Sequence, residues 1–183
     1  MRWTFEPGHT AAQFRARHMM ITWVRGSIKD VHGTLEFAPD GRPEDMRVEA
    51  VMNAALCWTG EPARDAHLQS PDFLCCERYP EIRFRSTVVE RVGANDYRVA
   101  GDLTLRGVTR PVWLMARHLG VWRTPWWEDG VDKGPKVRAG FVAGAVINRY
   151  DFGMSWNGDL ENGGWVVGRK IYLTLDAEAI RED

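Results

Sequence analysis

Apolar and polar residues alternate with a period of two along most of this chain, the pattern of strands with one buried face. The cleanest run sets Met46, Val48, Ala50, Met52, Ala54 and Leu56 against Arg47, Glu49, Val51, Asn53 and Ala55. Shorter runs over 2–6 and 11–17 flank the turn Pro7-Gly8, and Ser27 to Phe37 puts Val31, Gly33, Leu35 and Phe37 on one face. Further strands are expected over 82–92, 97–105, 110–119, 136–147 and 165–177, divided by turn-forming residues such as Gly93–Asp96 and Arg106-Gly107. Two segments break the rhythm. His18 to Val24 is apolar without alternation and reads as a bulged strand or one helical turn. Residues 120–136, with Pro125-Trp126-Trp127, Gly130, Gly134 and Pro135, read as a long loop.

The third exception, Arg64 to Phe84, is of a different kind. Arg64, His67 and Leu68 recur three and four apart, which predicts a short helix with Arg64 and His67 on one side. Ser70-Pro71 reads as a break and restart, with Ser70 as N-cap and Pro71 in the first helical position, and Pro80 ends the excursion. A helical insert in an otherwise all-β chain is expected to close one end of a curled sheet, burying Leu68, Phe73 and Leu74.

The expected fold is therefore all-β: an antiparallel barrel of about eight strands formed by residues 1–183 as one domain. A sandwich would alternate in the same way, but long strands and a helical plug favour the barrel. Many inward candidates are small (Ala12, Ala16, Gly33, Ala50, Ala54, Ala139, Ala143 and Ala145). Small residues cannot fill a barrel of about eight strands, so the pattern predicts a cavity suited to an elongated apolar ligand.

Composition narrows the function classes. A net charge of −1 gives no global attraction for nucleic acid or an anionic membrane. The three cysteines, Cys57, Cys75 and Cys76, contain no CxxC and read as small buried hydrophobes in a reducing compartment. The strand-like start at Trp3-Thr4-Phe5 lacks the pattern of a signal peptide, and a cytoplasmic location is the expectation. The histidines share no ligand spacing, so neither metal nor cofactor is expected. No Gly-x-Ser-x-Gly or phosphate-cradling glycine loop occurs.

The chain resembles the YceI-like family of lipocalin-like polyisoprenoid-binding proteins over nearly its whole length. The resemblance rests on Arg17-His18-Met19-Met20 with Val24-Arg25-Gly26, Arg64-Asp65-x-His67-Leu68-x-Ser70-x-Asp72-Phe73 with Tyr79-Pro80-x-Ile82-x-Phe84-x-Ser86, and Gly101-Asp102-Leu103-Thr104-Leu105-x-Gly107-Val108-Thr109-Arg110-Pro111-Val112. Ala139-Gly140-Phe141 and Ile147-Asn148-Arg149-x-Asp151-Phe152-Gly153-Met154 complete it. The resemblance implies an extended eight-stranded antiparallel barrel, lipocalin-like, holding a long isoprenoid or related lipid along its axis, and no settled enzymatic activity. Two departures stand out: Leu56-Cys57-Trp58-Thr59 replaces a Ser-x-Asp-Thr-like stretch, and Cys75 stands where an Asp is common.

The candidate tunnel wall is Phe14, Leu35, Val48, Met52, Phe84, Leu103, Leu105, Leu114, Phe141, Ala143 and Ile147. His18, Arg64, His67 and Arg149 are the candidates for a ligand head group or a lid, because Arg offers a planar fork that fits phosphate oxygens. Each also has a structural reading: Arg64 and Asp65 tie the insert to the rim, and Arg149 holds its corner through Asp151. The expected partner is an isoprenoid or other long-chain lipid, with transient membrane contact and a homodimer left open and no nucleic acid. The alternatives are an enzyme acting on a lipid or quinone precursor through His67 and Arg64, and an interaction module presenting Trp126-Trp127.

Overall fold

The computed structural model describes residues 1–161 and 163–182. Its strands are β1 (Arg2–Phe5), β2 (Ala11–His18), β3 (Thr22–Ile28), β4 (His32–Glu36), β5 (Arg47–Asn53), β6 (Glu81–Arg91), β7 (Asp96–Leu105), β8 (Val108–Thr124), β9 (Trp127–Glu128), β10 (Val131–Asp132), β11 (Lys136–Asn148) and β12 (Val167–Arg181). The helix α1 spans Pro62–Gln69. Ten strands form one sheet in the order β1-β4-β5-β6-β7-β8-β11-β12-β2-β3, with β1 also paired to β12.

That order is a closed eight-stranded up-and-down barrel with two broken staves. β1 and β2 are one stave interrupted by a 3₁₀ turn at Pro7–His9, and β12 pairs with both, through Ala179–Arg181 and through Val167–Asp176. β3 and β4 are the next stave, which the sequence pattern read as one strand from Ser27. The break follows from Asp30, whose φ of 61° turns the chain. Closure leaves the sheet without an edge to template aggregation except at the outer side of β3, where a Ser27–Trp58 bridge covers part of it.

Three local expectations are corrected. His18–Val24 is neither bulge nor helical turn: β2 ends at His18, Met19 and Met20 turn the chain at φ of 45° and 63°, and β3 starts at Thr22. Residues 120–136 are mostly not loop. β8 continues to Thr124 past a bulge where Gly120, at φ +136°, faces Gly140, and β9 and β10 make a small hairpin. The helical insert starts two residues before Arg64, with Pro62 in its first turn and the Glu61 carboxylate accepting from the Ala63 and Arg64 amides. Ser70 closes this helix instead of starting another, and the chain to Tyr79 runs in turns.

The two barrel ends differ. Away from α1, Phe37 lies edge-on to Tyr97 and Phe141 at 5.9 and 5.0 Å and beside His118 at 4.8 Å, and the Trp3 indole donates to the Phe37 carbonyl at 2.9 Å. Trp3 and Phe37 are buried, and this aromatic cluster plugs that end. At the other end α1, the turns after it and the 3₁₀ corner Arg149–Phe152 cover the opening.

Because Trp3 joins the plug to the seam between β1 and β12, Trp3→Ala removes packing at both. It is expected to cost about 3–5 kcal/mol, measured by urea unfolding.

Candidate functional site

The barrel encloses a cavity of about 660 Å³ that reaches from the aromatic plug to the α1 end. That falls within the range of roughly 300–1,000 Å³ found for small-molecule sites. Its walls are built by alternation. Phe14 on β2, Leu35 on β4, Val48 and Met52 on β5, Phe84 on β6, Leu103 and Leu105 on β7, Leu114 on β8, and Phe141, Ala143 and Ile147 on β11 all face into it. Ala12, Ala16 and Ala50 are also wall residues, and their short side chains leave the space. Ala54 and Ala139 are instead packed, at 1% and 0% exposure, so not every small residue serves the cavity. The sequence did not single out Ile171, Leu173 and Leu175, which carry the β12 wall by the same alternation.

Polar side chains gather at the α1 end. Arg17, His18 and Val24 of the β2–β3 hairpin, Glu61, Arg64 and His67 of the insert, and Trp156 and Val166 line this mouth. Arg64 donates from Nε to the Thr59 hydroxyl at 2.7 Å and from Nη2 to the Thr59 carbonyl at 3.2 Å. Asp65 accepts from the Thr59 amide at 2.8 Å, so Arg64 and Asp65 hold the turn before the helix. His67 Nε2 sits 2.9 Å from Asp72, and its ring stands edge-on to Phe73 at 5.0 Å and Trp156 at 4.6 Å. The insert thus lays an aromatic layer across the barrel end, with Phe73 buried and Leu68 and Leu74 packed on the core as expected.

Arg149 is 1% exposed and its corner works differently from expectation. It does not pair with Asp151, which instead accepts from Asn148. Its guanidinium donates to the carbonyls of Gly168, Met154, Trp156 and Val167 at 2.6–3.0 Å, tying the 3₁₀ corner to the start of β12. Burial pulls its pKa down, yet an arginine in this range stays charged. The result is a buried cation satisfied by dipoles, without a carboxylate partner among the described residues.

The departures at 56–59 leave the cavity open. Trp58 is 63% exposed and points away from the barrel axis, pairing with Ser27 only through its backbone. Cys57 lines the cavity, and burial, with Asp65 and Cys76 nearby, pushes its thiol up to about 12. Trp126 lies against Arg138 at 5.0 Å while Trp127 is exposed. Glu6, His9 and Glu178 bring carboxylate and imidazole atoms within 4.8 Å at the broken first stave, a grouping that spacing could not reveal. Arg138 and His9 already pair with Glu178 there. Among the described residues no helix is long and apolar enough to cross a membrane.

An eight-stranded up-and-down barrel, apolar inside, plugged by aromatic rings at one end and rimmed by polar residues at the other, is a cavity-bearing barrel of the lipocalin type. The chain belongs to the YceI-like family: the model of the YceI-like domain matches residues 3–179. A UPF0312 protein of Photorhabdus laumondii is 38% identical over 177 residues, covering 96% of this chain and 84% of that protein. The crystal structure of a Campylobacter jejuni YceI protein superposes with a TM-score of 0.70 at 26% identity, covering 91% of this chain and 90% of that one. A polyisoprenoid-binding domain from Saccharophagus degradans, implicated in plant cell wall breakdown, shares the fold with a TM-score of 0.66 at 10% identity, covering 98% of both chains.

Two outcomes follow from the buried titratable groups. Native Cys57 should stay unmodified by iodoacetamide at about pH 8, well below its raised pKa, and react once the chain is unfolded, as peptide mass mapping would show. His118, 8% exposed with Nε2 unpartnered among the described residues, has its pKa lowered by desolvation. The unfolded chain takes up that proton first, so stability should fall as pH drops below about 6.5. His118→Phe should flatten that fall in urea titrations between pH about 6.5 and about 5.

Proposed function

We propose that this protein binds the apolar tail of a long isoprenoid lipid, such as an isoprenoid quinone or a prenyl pyrophosphate, inside the barrel, and carries or stores it. The observation that carries this reading is the apolar cavity of about 660 Å³, closed by aromatics at one end and opening beside α1 at the other. The family and the polyisoprenoid-binding relative support the same class of ligand.

Volume and energy agree on scale. At about 30 Å³ for each water-sized group, the cavity holds on the order of twenty carbons, and a longer chain continues through the mouth. Burying about twenty methylene-sized groups at about 0.8 kcal/mol each gains on the order of 16 kcal/mol gross. That lies under the ceiling of roughly 20 kcal/mol for real affinities, and chain ordering and extraction from a membrane reduce it further. Selectivity for length is therefore loose, while selectivity against polar chains is strong.

Function in this reading is partition: the lipid enters past α1 and its tail is shielded from water. The wall residues named above make the contacts, and His18, Arg64, His67 and Arg149 form the lid and its supports. The hydrogen bonds of Arg64 and His67 are engaged within the insert, which favours the lid role over catalysis by these two groups.

Native mass spectrometry of freshly purified protein, followed by organic extraction, should recover one hydrophobic species per chain. Clean apoprotein that takes up no geranylgeraniol would sink the reading. Ala143→Trp should reduce geranylgeraniol affinity at least about tenfold (about 1.4 kcal/mol) while the far-ultraviolet spectrum and melting temperature hold.

A further inference from the structure

The β2–β3 hairpin turns on residues that its backbone disfavours. The Ile21 amide donates to the His18 carbonyl at 3.1 Å, closing a two-residue turn in which Met19 and Met20 both hold positive φ, 45° and 63°. Asn-Gly is the usual pair in such a turn, because a β-carbon strains a left-handed backbone. Here two methionines bear that strain, and both are exposed. The Met20 thioether lies against Gly164, while Ile21 is 81% exposed. Strain kept at an exposed apolar turn is not repaid by packing inside the chain, and it points to a contact made outside it.

The turn stands where the lumen opens. Arg17, His18 and Val24, on either side of it, line the mouth. Behind the tip comes a belt of aromatic rings and cations. Trp23 carries the Arg17 and Arg15 guanidiniums at 4.2 and 4.7 Å from its ring and stands edge-on to Tyr172 at 5.3 Å. No Asp or Glu occurs between Glu6 and Asp30, a segment that holds Arg15, Arg17, Arg25 and Lys29. None of these four cations forms an ion pair among the described residues. Arg17 also shares an outer cleft with Arg169 and Lys170, against one carboxylate, Asp159, among its described lining residues. In a chain of net charge −1 this positive charge is local.

Size and order along the hairpin select the partner. Three side chains at a turn fall far short of the roughly 800 Å² that each partner buries in a stable protein interface. A bilayer asks for less, since interfacial elements sink their apolar side chains only about 5–10 Å into the headgroup and acyl boundary. A strand rises about 3.3 Å per residue, so Trp23 trails Ile21 by about 7 Å. With Ile21 among the acyl chains, Trp23 and Tyr172 fall at headgroup level, where such rings concentrate, and the arginines meet anionic headgroups.

We propose that the Met19-Met20-Ile21 tip docks this protein onto an anionic bilayer, holding the lumen mouth over the surface that supplies the lipid. This rests on the reading of the lumen given above and adds the surface from which the tail is drawn.

Wild type, Met19→Asn/Met20→Gly, Ile21→Ser and Trp122→Ser are floated with phosphatidylglycerol or phosphatidylcholine vesicles, and each is titrated with geranylgeraniol without vesicles. The double variant supplies the residues that the turn prefers, so it should melt no lower than wild type. Trp122 is exposed at the plug end, in register with Thr4 through Arg138 and Ile180, and controls for general stickiness. Wild type should bind phosphatidylglycerol at least about tenfold more tightly than phosphatidylcholine. Both hairpin variants should lose at least about tenfold on phosphatidylglycerol and keep wild-type affinity for geranylgeraniol, because none of the three side chains lines the lumen. Trp122→Ser should match wild type throughout. The proposal is overturned by equal binding to both lipids, by hairpin variants that dock as wild type does, or by an equal loss in Trp122→Ser. A wild type that ignores vesicles but dimerises through the hairpin in sedimentation assigns the tip to a second copy and overturns it too. Docking without uptake of geranylgeraniol retains the hairpin's role and removes the lumen reading instead.

Discussion

Everything in this molecule depends on β12 closing the sheet. Backbone amides and carbonyls removed from water must pair, and an open eight-stave sheet would leave two rows unpaired. β12 pairs with β11 from Lys170 to Ile180 and with both halves of the broken first stave, so one strand supplies the seam. Arg149 anchors its beginning by donating to the Gly168 and Val167 carbonyls, and at its end Glu182 donates its amide to the Arg2 carbonyl. A buried guanidinium serves here because it satisfies several carbonyls at once, which no apolar side chain could do.

Closure makes the interior a separate solvent. Protein cores normally pack to crystal density, and a void forfeits contacts on its lining. This barrel tolerates that loss because alanines at 12, 16, 50 and 143 stand where larger side chains would fill the axis. At the plug, by contrast, the rings of Tyr97, His118 and Phe141 lie 4.8–5.9 Å from that of Phe37 and fill the barrel end. The same division gives the cavity a direction, with a blind apolar end and a mouth rimmed by polar groups.

The mouth also separates two kinds of polar residue. Arg64, Asp65 and His67 have partners inside the insert and shape the lid. Arg17, Arg169 and Lys170 face a cleft outside the barrel with their charges unpaired among the described residues. Chemistry that residue type alone would assign to one site is thus split between a structural role and an open surface.

Period-two alternation was enough to read an all-β chain, its inward faces and its apolar lining, because side-chain direction in a strand depends only on position parity. Choosing a barrel over a sandwich took strand length and the helical insert as well. The helical insert was legible in the spacing of Arg64, His67 and Leu68 for the same local reason. Its start was misplaced because Glu61 caps through a side chain that carries no periodic signal, and β8 was cut short because Gly120 shifts parity at a bulge. The partners of Arg149 and the gathering of Arg17 with Arg169 and Lys170 were beyond the sequence. These contacts join residues more than a hundred positions apart, or depend on a corner's exact turn, and only the closed sheet brings them together.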